Sequence, residues 1–206
     1  MQFNLMPNQY LPFNGDTYVQ EMFLELAQKN NCKAAFETGT CLGGTTKFLA
    51  ENFDMVLTIE KELEYQNEAK KTVPLELHSK IEFVLGDSSK ETKTWSALLS
   101  PNLNCIYFLD AHWGNHCPLH DELDAIADTR QGFDCIVIHD CYVPQSELGF
   151  DTYNGQAISL DYVREKLDKI YGIDGYKYTY NTIPCGAKRG VLFVEPRENR
   201  NYVGIL

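Results

Sequence analysis

Five acidic residues occupy the same place in five successive apolar segments, at the point where each segment ends. The carboxyl ends of parallel strands meet at one edge of a sheet, so carboxylates at these places would face a single crevice. Gathering like charges there costs free energy unless a cation or another ligand offsets them. An acidic residue after one strand is more often a turn former or a helix N-cap, but five at corresponding positions indicate a site for a polar ligand. The five are Glu37, Glu60, Asp87, Asp110 and Asp140.

The first of these carboxylates begins a glycine-rich corner. The sequence from Glu37 reads E-T-G-T-C-L-G-G-T and leads from an apolar run into a helical pattern that starts at Gly44. A strand that turns through glycines into a helix brings backbone N–H groups and a positive helix end to one point, where a small polar ligand can bind. The glycines are spaced G-x-x-x-G-G, and Cys41 stands where a dinucleotide site needs its second glycine, which disfavours a dinucleotide. Glu60 follows Gly39 at the separation expected for an acidic residue that binds ribose hydroxyls.

Histidines cluster beside the last two of these carboxylates. Four of the five histidines fall between Asp110 and Asp140. An imidazole titrates near neutral pH and can accept the proton of a hydroxyl group as a general base. One such histidine is more often a loop residue or a satisfied interior residue, and the clustering makes a catalytic role an equal alternative. The four are His112, His116, His120 and His139, of which His116 and His120 have metal-ligand spacing but are separated by Pro118 at a predicted helix start.

The composition is that of a globular protein with an acidic surface. The chain has 206 residues, 44% of them hydrophobic and 23% charged, with a formal net charge of −11 and a pI near 4.9. This charge disfavours electrostatic binding to nucleic acid or to an anionic membrane. Seven scattered cysteines without a C-x-x-C pair are typical of a reduced intracellular protein. Because the sequence shows neither a basic-then-apolar leader nor a run of membrane-spanning length, we expect a cytoplasmic protein.

Strand-like and helix-like segments alternate along most of the chain. Four of the five early strands are nearly unbroken apolar runs, which is typical of a parallel sheet covered on both faces. The end breaks the alternation, since Tyr176–Ile183 and Gly190–Val194 are joined by a short turn at 184–186 and predict an antiparallel hairpin. The earlier predicted strands are 34–37, Met55–Ile59, Ile81–Leu85, Cys105–Leu109 and Cys135–Ile138. The predicted helices are Thr17–Asn30 with Asp16 as N-cap, Gly44–Phe53, Leu63–Thr72, Thr92–Leu99, Pro118–Ala127 and Ile158–Tyr171.

The sequence therefore predicts a single α/β domain over residues 1–206, with a doubly wound, mostly parallel, seven-stranded sheet and a C-terminal antiparallel hairpin. Residues 1–15 form an irregular arm, whose apolar side chains cap the pocket or pack on a second subunit in a homodimer. Residues 141–156 form a long aromatic loop, which is a lid over a substrate or, equally, a surface loop packed on the sheet edge. Lys188 and Arg189 contact an anionic substrate or form a solvated turn.

The order of these motifs resembles the class I S-adenosylmethionine-dependent methyltransferases over roughly residues 34–195. The resemblance is carried by E-x-G-x-x-x-G from Glu37, by the acidic end of the second strand, by G-D-S at 86–88 and by the reversed strand that closes the sheet. It implies S-adenosylmethionine as the cofactor, with its methionine part at the glycine corner, its ribose on Glu60 and its adenine beside Asp87 and Ser88. A cationic sulfonium with an ammonium group suits an acidic corner better than a phosphate does. The implied cofactor residues are Glu37, Gly39, Thr40, Gly43, Gly44, Thr45, Glu60, Asp87, Ser88 and Asp110.

The segment from Leu109 to Trp113 is similar to the fourth strand end of catechol-type O-methyltransferases. In that subfamily this aspartate and an Asp-Asn pair after strand five hold Mg²⁺, so the resemblance implies Asp110 and Asp140 as metal ligands. Cys141 departs from the pattern, because it stands at the Asn position and a thiol is a poor ligand for Mg²⁺. Two alternatives follow. Either Asp110, Asp140 and a histidine hold a softer divalent ion, or the site is metal-free and His112 or His139 is the general base.

The predicted activity is methyl transfer from S-adenosylmethionine to a hydroxyl group of a small molecule or sugar. The catalytic residues would be Asp110, His112, His139 and Asp140, and alignment of the hydroxyl with the methyl group would contribute most of the rate. A nicotinamide-dependent oxidoreductase is an alternative, which the missing G-x-G-x-x-G disfavours. A non-catalytic protein of the same fold that binds a nucleoside cofactor or a partner is a second alternative, which Cys141 leaves open.

Overall fold

The structure is a computed structural model and describes residues 10–197. In this part of the chain, a β-sheet is covered by helices on both faces. The helices are α1 (Thr17–Lys29), α2 (Gly44–Asn52), α3 (Leu63–Thr72), α4 (Ser88–Leu98), α5 (Leu119–Thr129) and α6 (Leu160–Tyr171). The strands are β1 (Ala34–Thr38), β2 (Met55–Glu60), β3 (Ile81–Leu85), β4 (Cys105–Leu109), β5 (Cys135–Ile138), β6 (Thr152–Tyr153), β7 (Gln156–Ala157), β8 (Tyr176–Tyr180) and β9 (Leu192–Pro196). Short 3₁₀ helices at Pro12–Gly15 and Leu75–Lys80 complete the described elements.

The main sheet has seven strands in the order β3-β2-β1-β4-β5-β9-β8. Strands β1 to β5 run parallel to one another, whereas β9 runs antiparallel to both β5 and β8. The strand order reverses between β1 and β4, which creates the crevice where ligands bind in open α/β sheets. The predicted mostly parallel seven-stranded sheet with a reversed end is confirmed.

Apolar side chains on both faces of the central strands explain why helices cover both faces. Every residue of β1, β4 and β5 is buried, as expected for central parallel strands. One face packs against α5 and α6 through side chains that include Leu123 and Leu167. The other face packs against α1 and α2 through Phe23 and Leu49, with the Phe13 ring among them. The two layers hold the carboxyl edge of the sheet rigidly.

Side-chain caps fix where three helices begin. The Asp16 carboxylate accepts a hydrogen bond from the backbone N–H of Val19 at 2.9 Å, so the predicted N-cap of α1 is confirmed. The Ser159 hydroxyl accepts from the backbone N–H of Tyr162 at 3.2 Å and caps α6 in the same way. Asp87 caps α4, which therefore starts at Ser88, four residues earlier than the apolar pattern predicts.

Several predicted boundaries shift by a few residues. The predicted helix at Pro118 starts at Leu119, with Pro118 as its N-cap residue, and runs on to Thr129. The predicted helix from Ile158 begins at Leu160, because Ile158 is still paired with the backbone of Asp151. Helix ends depend on capping contacts that apolar periodicity does not report.

Two predicted connections are wrong. The last two strands pair antiparallel as predicted, but β8 ends at Tyr180 and β9 begins at Leu192, so their connection is longer than the predicted turn at 184–186. The segment 141–156 is not without regular structure, since it contains β6 and the first residue of β7, which pair as a two-stranded hairpin. Of the predicted irregular arm, residues 1–9 lie outside the described residues. Among the described residues, no helix combines the length and the apolar character that crossing a bilayer requires.

Candidate active site

The parallel strands bring the predicted acidic residues to one edge of the sheet. Glu60 is the last residue of β2, and Asp110 and Asp140 follow the ends of β4 and β5. Asp87 lies two residues past β3. The predicted convergence of these carboxylates is therefore what the strand directions produce.

Glu37 differs from the other four, because it lies inside β1 and is completely buried. The hydroxyl groups of Thr46 and Thr58 donate to its Oε2 at 2.5 and 2.6 Å. Its other oxygen, Oε1, is buried and has no hydrogen-bond partner among the described residues. Burial raises the pKa of Glu37 to about 8, although the two threonine hydrogen bonds act in the opposite direction.

The glycines of the corner are required by close packing. Gly39 has a φ of +85°, and a β-carbon on it would lie 2.5 Å from the carbonyl oxygen of Asp110. A β-carbon on Gly43, with a φ of +80°, would lie 2.9 Å from the Cα of Ala69. Residues with side chains rarely adopt these positive φ values. The close approach of other backbone segments is therefore sufficient to explain why both positions are glycine, without a ligand.

The described end of the arm packs on the start of α2. A β-carbon on Gly44 would lie 2.7 Å from the carbonyl carbon of Tyr10. The Thr45 hydroxyl accepts a hydrogen bond from the backbone N–H of Phe13 at 3.0 Å. Gly44 and Thr45 thus contact residues of the arm in this structure, and their role in cofactor binding stays a prediction.

Glu60 ties the corner to the end of β2. Its carboxylate accepts hydrogen bonds from the backbone N–H groups of Cys41 and Glu62 at 2.8 and 2.9 Å. Burial raises the pKa of Glu60, and these backbone hydrogen bonds oppose the shift. Thr40 is also buried, with its hydroxyl 2.5 Å from that of Thr58. The corner is therefore a fixed arrangement around two buried acidic groups.

Asp87 is an N-cap and an ion-pair partner at once. It accepts hydrogen bonds from the backbone N–H and the hydroxyl of Ser89 at 3.1 and 2.8 Å, and from the Lys61 ammonium at 2.9 Å. Although burial opposes it, Lys61 and Ser89 hold the pKa of Asp87 well below its usual range. The next residue, Ser88, is buried at the first position of α4. The predicted contact of Asp87 and Ser88 with adenine remains a prediction.

Asp110, Asp140 and two histidines form the centre of the candidate site. The Nδ1 atom of His139 lies 3.2 Å from Asp110 Oδ1 and 3.3 Å from Asp140 Oδ1. The Nε2 atom of His112 lies 3.4 Å from Asp140 Oδ2 and 3.9 Å from Asp110 Oδ1. These are ion-pair distances without hydrogen-bond geometry, and both ring nitrogens are buried. All four predicted catalytic residues are therefore brought together.

The carboxylates change the proton affinity of both imidazoles. Burial alone would lower the pKa of a histidine, because it disfavours the charged ring. The nearby Asp140 and Asp110 more than offset this effect and raise the pKa of His112. The same two carboxylates raise the pKa of His139 well above its ordinary value, again against the effect of burial. The two carboxylates thus favour the protonated form of His139.

Arg189 is a component of this centre that sequence reasoning named only as a turn residue or an anion contact. Its Nε donates to Asp140 Oδ1, and its Nη2 donates to Asp151 Oδ1. Asp151 lies in the predicted lid segment and was not singled out. No local sequence signal links the two, because the long connection between β8 and β9 brings Arg189 to the sheet edge.

Glu122 is a second buried group that sequence reasoning missed. It is 1% exposed on α5, and its Oε1 has no hydrogen-bond partner among the residues described. Burial raises the pKa of Glu122 to about 7, against the effect of hydrogen bonds with Ser88 and Thr38. The signal was available, because Glu122 stands on the apolar face that also contains Leu119 and Leu123.

Two overlapping groups of side chains have the spacing to hold a metal ion. One consists of Asp110, His139 and Asp140, and the other of His112, Asp140 and Asp151. Both use Asp140, which Arg189 already contacts, so a divalent ion in either group would stand beside a guanidinium. The donor set as it stands therefore does not fit a metal.

Within residues 10–197, neither Cys141 nor the spaced pair of His116 and His120 belongs to a group of side chains with metal-binding spacing. Cys141 is buried, and its thiol faces the carbonyl oxygen of Tyr142 at 3.7 Å. The spaced histidines do not converge either. His120 Nε2 lies 2.9 Å from the carbonyl oxygen of Tyr162, whereas His116 Nε2 lies 3.4 Å from Asp87.

An open cleft of about 850 Å³ lies between the segment 141–157, the start of α6 and strand β8. Its aromatic lining consists of Tyr142, Phe150, Tyr162, Tyr178 and Tyr180. The polar lining residues include Gln156, Ser159, Asp161 and Arg164, and the last two form an ion pair at 3.0 Å. Phe150 is the chain neighbour of Asp151, and Tyr142 follows Asp140 by two residues. The cleft is thus lined by chain neighbours of the acidic centre, whereas Asp140 and Asp151 themselves do not line it.

Comparison with known proteins places the fold among solved methyltransferases. No protein-family model matches the sequence, and no curated protein is significantly similar to it. The O-methyltransferase TomG of Streptomyces achromogenes, solved in complex with SAM (S-adenosylmethionine), is 17% identical over 86% of this chain and 79% of its own, with a TM-score of 0.61. An O-methyltransferase of Bacillus cereus in complex with SAH (S-adenosylhomocysteine) is 16% identical over 96% of this chain and 84% of its own, with a TM-score of 0.60.

The same fold also occurs in a protein named for another reaction. A precorrin 8w decarboxylase of Methanobacterium thermoautotrophicum is 14% identical over 94% of this chain and all of its own, with a TM-score of 0.56. At these identities the likeness shows a shared fold alone. The chain thus shares its fold with these solved methyltransferases, and a shared fold does not determine the reaction.

Proposed function

We propose that this protein transfers the methyl group of S-adenosylmethionine to a hydroxyl group of a small molecule or sugar. The observation that carries the proposal is the set of parallel strand ends that gathers Glu60, Asp87, Asp110 and Asp140 around the Gly39 corner. Solved O-methyltransferases of the same fold, one with SAM and one with SAH, support the choice of cofactor.

The residues of the corner fit a polar ligand. Glu37 has a buried oxygen without a partner, and Glu60 is a second buried acidic group at the same corner. Glu37, Gly39, Thr40 and Gly43 would hold the methionine part of the cofactor, and Glu60 would accept hydrogen bonds from the ribose. Asp87, Ser88 and Asp110 would complete the border of the cofactor, with Gly44 and Thr45 at the helix start. When bound, the cofactor supplies an electrophilic methyl group on a sulfonium.

His112 is the proton acceptor in this proposal. The acceptor hydroxyl would give its proton to the His112 ring, so that its oxygen could attack the methyl group that the bound cofactor would supply, with the cofactor sulfur as the leaving group. Asp140 orients His112 and stabilises the imidazolium that forms. His139 positions the Asp110 and Asp140 carboxylates between which it lies. No step requires a metal.

The aromatic cleft is the proposed acceptor site. Pockets for small molecules are mostly apolar and aromatic, with a few polar groups that fix orientation. The Asp161–Arg164 pair neutralises the charge at this cleft, so a neutral ligand suits it better than an ion does. A sugar ring combines apolar C–H faces, which stack on tyrosine rings, with hydroxyl groups that can reach the polar lining. The hairpin β6–β7 would position the acceptor, because the Tyr153 ring lies 6.1 Å from that of His112.

The remaining aspects of the proposal concern partners and location. The net charge of −11 supports a protein that binds no nucleic acid. A homodimer and a cytoplasmic location are proposed from the sequence, on the grounds of the apolar arm and the unpaired cysteines. All seven cysteines are free thiols in the structure.

A binding and transfer experiment tests the proposal. Calorimetric titration of the purified protein with S-adenosylhomocysteine should give saturable one-site binding, and NAD should give none. Incubation with methyl-labelled S-adenosylmethionine and a panel of catechols and glycosides should then label at least one acceptor. NAD binding in place of S-adenosylhomocysteine would favour the oxidoreductase alternative. Cofactor binding without labelling of any acceptor would favour the non-catalytic alternative.

A further inference from the structure

One of the two metal-like groups already has a cation in contact with it. His112, Asp140 and Asp151 each offer a ligand atom, and these atoms lie within 4.8 Å of one another. Arg189 donates a hydrogen bond to each of the two carboxylates in this group through a different guanidinium nitrogen. A guanidinium carries a permanent positive charge in a planar, forked arrangement of donors, so it can bridge two carboxylates in a fixed geometry.

Backbone contacts hold the Arg189 guanidinium in this place. The carbonyl oxygen of Arg189 accepts a hydrogen bond from the Asn181 side chain at 2.8 Å, and Asn181 is buried. The N–H of Gly149 donates to the carbonyl oxygen of Lys188, and the N–H of Gly190 donates to that of Gly149, both at 2.8 Å. Backbone hydrogen bonds thus hold the residues on both sides of Arg189 and connect them to Gly149.

Two glycines make room for the guanidinium and its segment. A β-carbon on Gly149 would lie 2.8 Å from Nη1 of Arg189, so a larger residue here would push the guanidinium out of its present position. A β-carbon on Gly190 would lie 2.0 Å from the carbonyl oxygen of Cys141. The segment after β5 and the segment before β9 therefore meet without intervening side chains, and the arginine is directed at Asp140.

We propose that Arg189 is the resident cation of this acidic centre and stands where a divalent ion would otherwise bind. By engaging Oδ1 of Asp140, it leaves Oδ2 facing His112 at 3.4 Å. Arg189 is thus a positioning residue for the Asp140–His112 pair. The role of Arg189 in the reaction rests on the proposed function, whereas its role as the resident cation rests on its contacts with Asp140 and Asp151 alone.

Charge also disfavours an ion in the other group. The group formed by Asp110, His139 and Asp140 uses the same Asp140 carboxylate that Arg189 contacts. A divalent ion in this group would therefore be repelled by the guanidinium at close range. The side chains of Asp140 and Arg189 are 14% and 28% exposed, so solvent screens this repulsion only in part. The acidic centre is therefore balanced by a side chain, and the proposal predicts methyl transfer that is indifferent to chelators.

Titration with Mn²⁺, followed by electron paramagnetic resonance without any methyl donor, tests the inference. The wild-type protein should show no saturable site that depends on Asp140. Arg189→Ala should gain one and should bind Mn²⁺ at least about tenfold more tightly than any residual binding by the wild type, because two carboxylates lose their cation. Arg189→Lys should resemble the wild type, since it retains a positive charge. Adding Asp151→Asn to Arg189→Ala should weaken the gained site.

The matched control is Arg164→Ala, which releases Asp161 from an exposed arginine pair and should gain no Mn²⁺ site. Stoichiometric Mn²⁺ binding by the wild type that is lost in Asp140→Asn would overturn the inference, even if the Arg189 variants failed to fold. Equal Mn²⁺ affinity in the wild type and in a folded Arg189→Ala would also overturn it. Because no cofactor is present, failure here is distinguishable from failure of the proposed methyl transfer.

Discussion

Gly39 and Asp110 meet through their backbones at the centre of the candidate site. A β-carbon on Gly39 would lie 2.5 Å from the carbonyl oxygen of Asp110 and 3.1 Å from the Cα of Ala111. The backbone N–H of Asp110 also donates to the carbonyl oxygen of Thr38 at 3.2 Å. The corner that is proposed to hold the cofactor and the aspartate that begins the catalytic centre therefore form one rigid unit.

We expect Gly39→Ala to destabilise the protein by at least about 2 kcal/mol, because it combines backbone strain at positive φ with a clash against another strand. The displaced Asp110 should also weaken binding of S-adenosylhomocysteine. Urea denaturation measures the first effect, and calorimetric titration measures the second.

Gly155→Ala provides the matched control. Its φ of +78° is close to the +85° of Gly39, but nothing lies within 4 Å of an added β-carbon. It should therefore show the backbone strain alone, on the order of 1 kcal/mol. Equal destabilisation by the two substitutions would show that contact with Asp110 adds nothing.

Glu37→Gln should change how stability depends on pH. The pKa of Glu37 is raised from its ordinary value of 4.5 to about 8 by burial. Below pH 4.5 the group is protonated in both states, so folding has no ionisation cost there. Above pH 4.5 the unfolded chain releases the proton while the folded chain retains it, so wild-type stability falls until about pH 8.

The glutamine variant lacks this titration and can still accept the threonine hydrogen bonds. Relative to the wild type, its free energy of unfolding should rise between pH 5 and pH 8 by on the order of 4 kcal/mol. Urea denaturation of both proteins at four pH values measures the difference. Glu165→Gln on the exposed face of α6 is the control for removing one negative charge from the protein. A constant difference for Glu37→Gln would show that Glu37 is ionised in the folded protein.

The sequence carries enough information for the fold and the acidic edge. Unbroken apolar runs such as Cys105–Leu109 and Cys135–Ile138 specify buried parallel strands, and each of these predicted ranges is the observed one. Once the strands are parallel, the residues that follow them must share an edge. Asp110, His112, His139 and Asp140 were predicted on that basis and lie together.

Contacts across long connections were beyond the reach of pattern analysis. Arg189 meets Asp140 only because the 181–191 connection folds back over the sheet edge, and neither residue is part of a periodic pattern. Gly149 gave no signal for the same reason, because its role depends on a guanidinium from a distant part of the chain. The 141–156 segment was predicted as an unstructured loop, although Asn154 and Gly155 at positive φ make the tight turn of a hairpin.

Asp134 and Arg130 form a buried ion pair whose loss should be costly. Arg130 Nε lies 2.7 Å from Asp134, and the two side chains are only 4% and 3% exposed. Asp134 also accepts a hydrogen bond from the backbone N–H of Cys105 at 2.8 Å, which fixes the start of β4. Asp134→Ala should lower the free energy of unfolding by about 3–5 kcal/mol, because it leaves a buried guanidinium unpaired.

Asp161→Ala is the control for Asp134→Ala. It breaks the exposed pair with Arg164, whose side chains are 88% and 50% exposed, and should cost less than about 1 kcal/mol. Urea denaturation measures both changes. Similar losses in the two variants would mean that burial does not determine the strength of the Asp134–Arg130 pair.

Asp140→Asn should separate catalysis from cofactor binding. The amide has nearly the same shape as the carboxylate and tolerates the φ of +57° at this position, but it cannot stabilise a charged His112. Turnover should fall by at least about 100-fold, which is the usual contribution of an oriented general base. Affinity for S-adenosylhomocysteine should stay at the wild-type level, because the implied cofactor residues do not include Asp140.

Asp174→Asn controls for the backbone at Asp140. Asp174 also has a φ of +57°, but it is exposed in the connection between α6 and β8, so neither turnover nor binding should change. The readouts are the rate of methyl transfer and the calorimetric affinity of each variant. Equal losses of turnover and of affinity in Asp140→Asn would mean that this carboxylate supports the cofactor as much as the reaction. The roles of the β1 corner and of the β5 end would then not be separable.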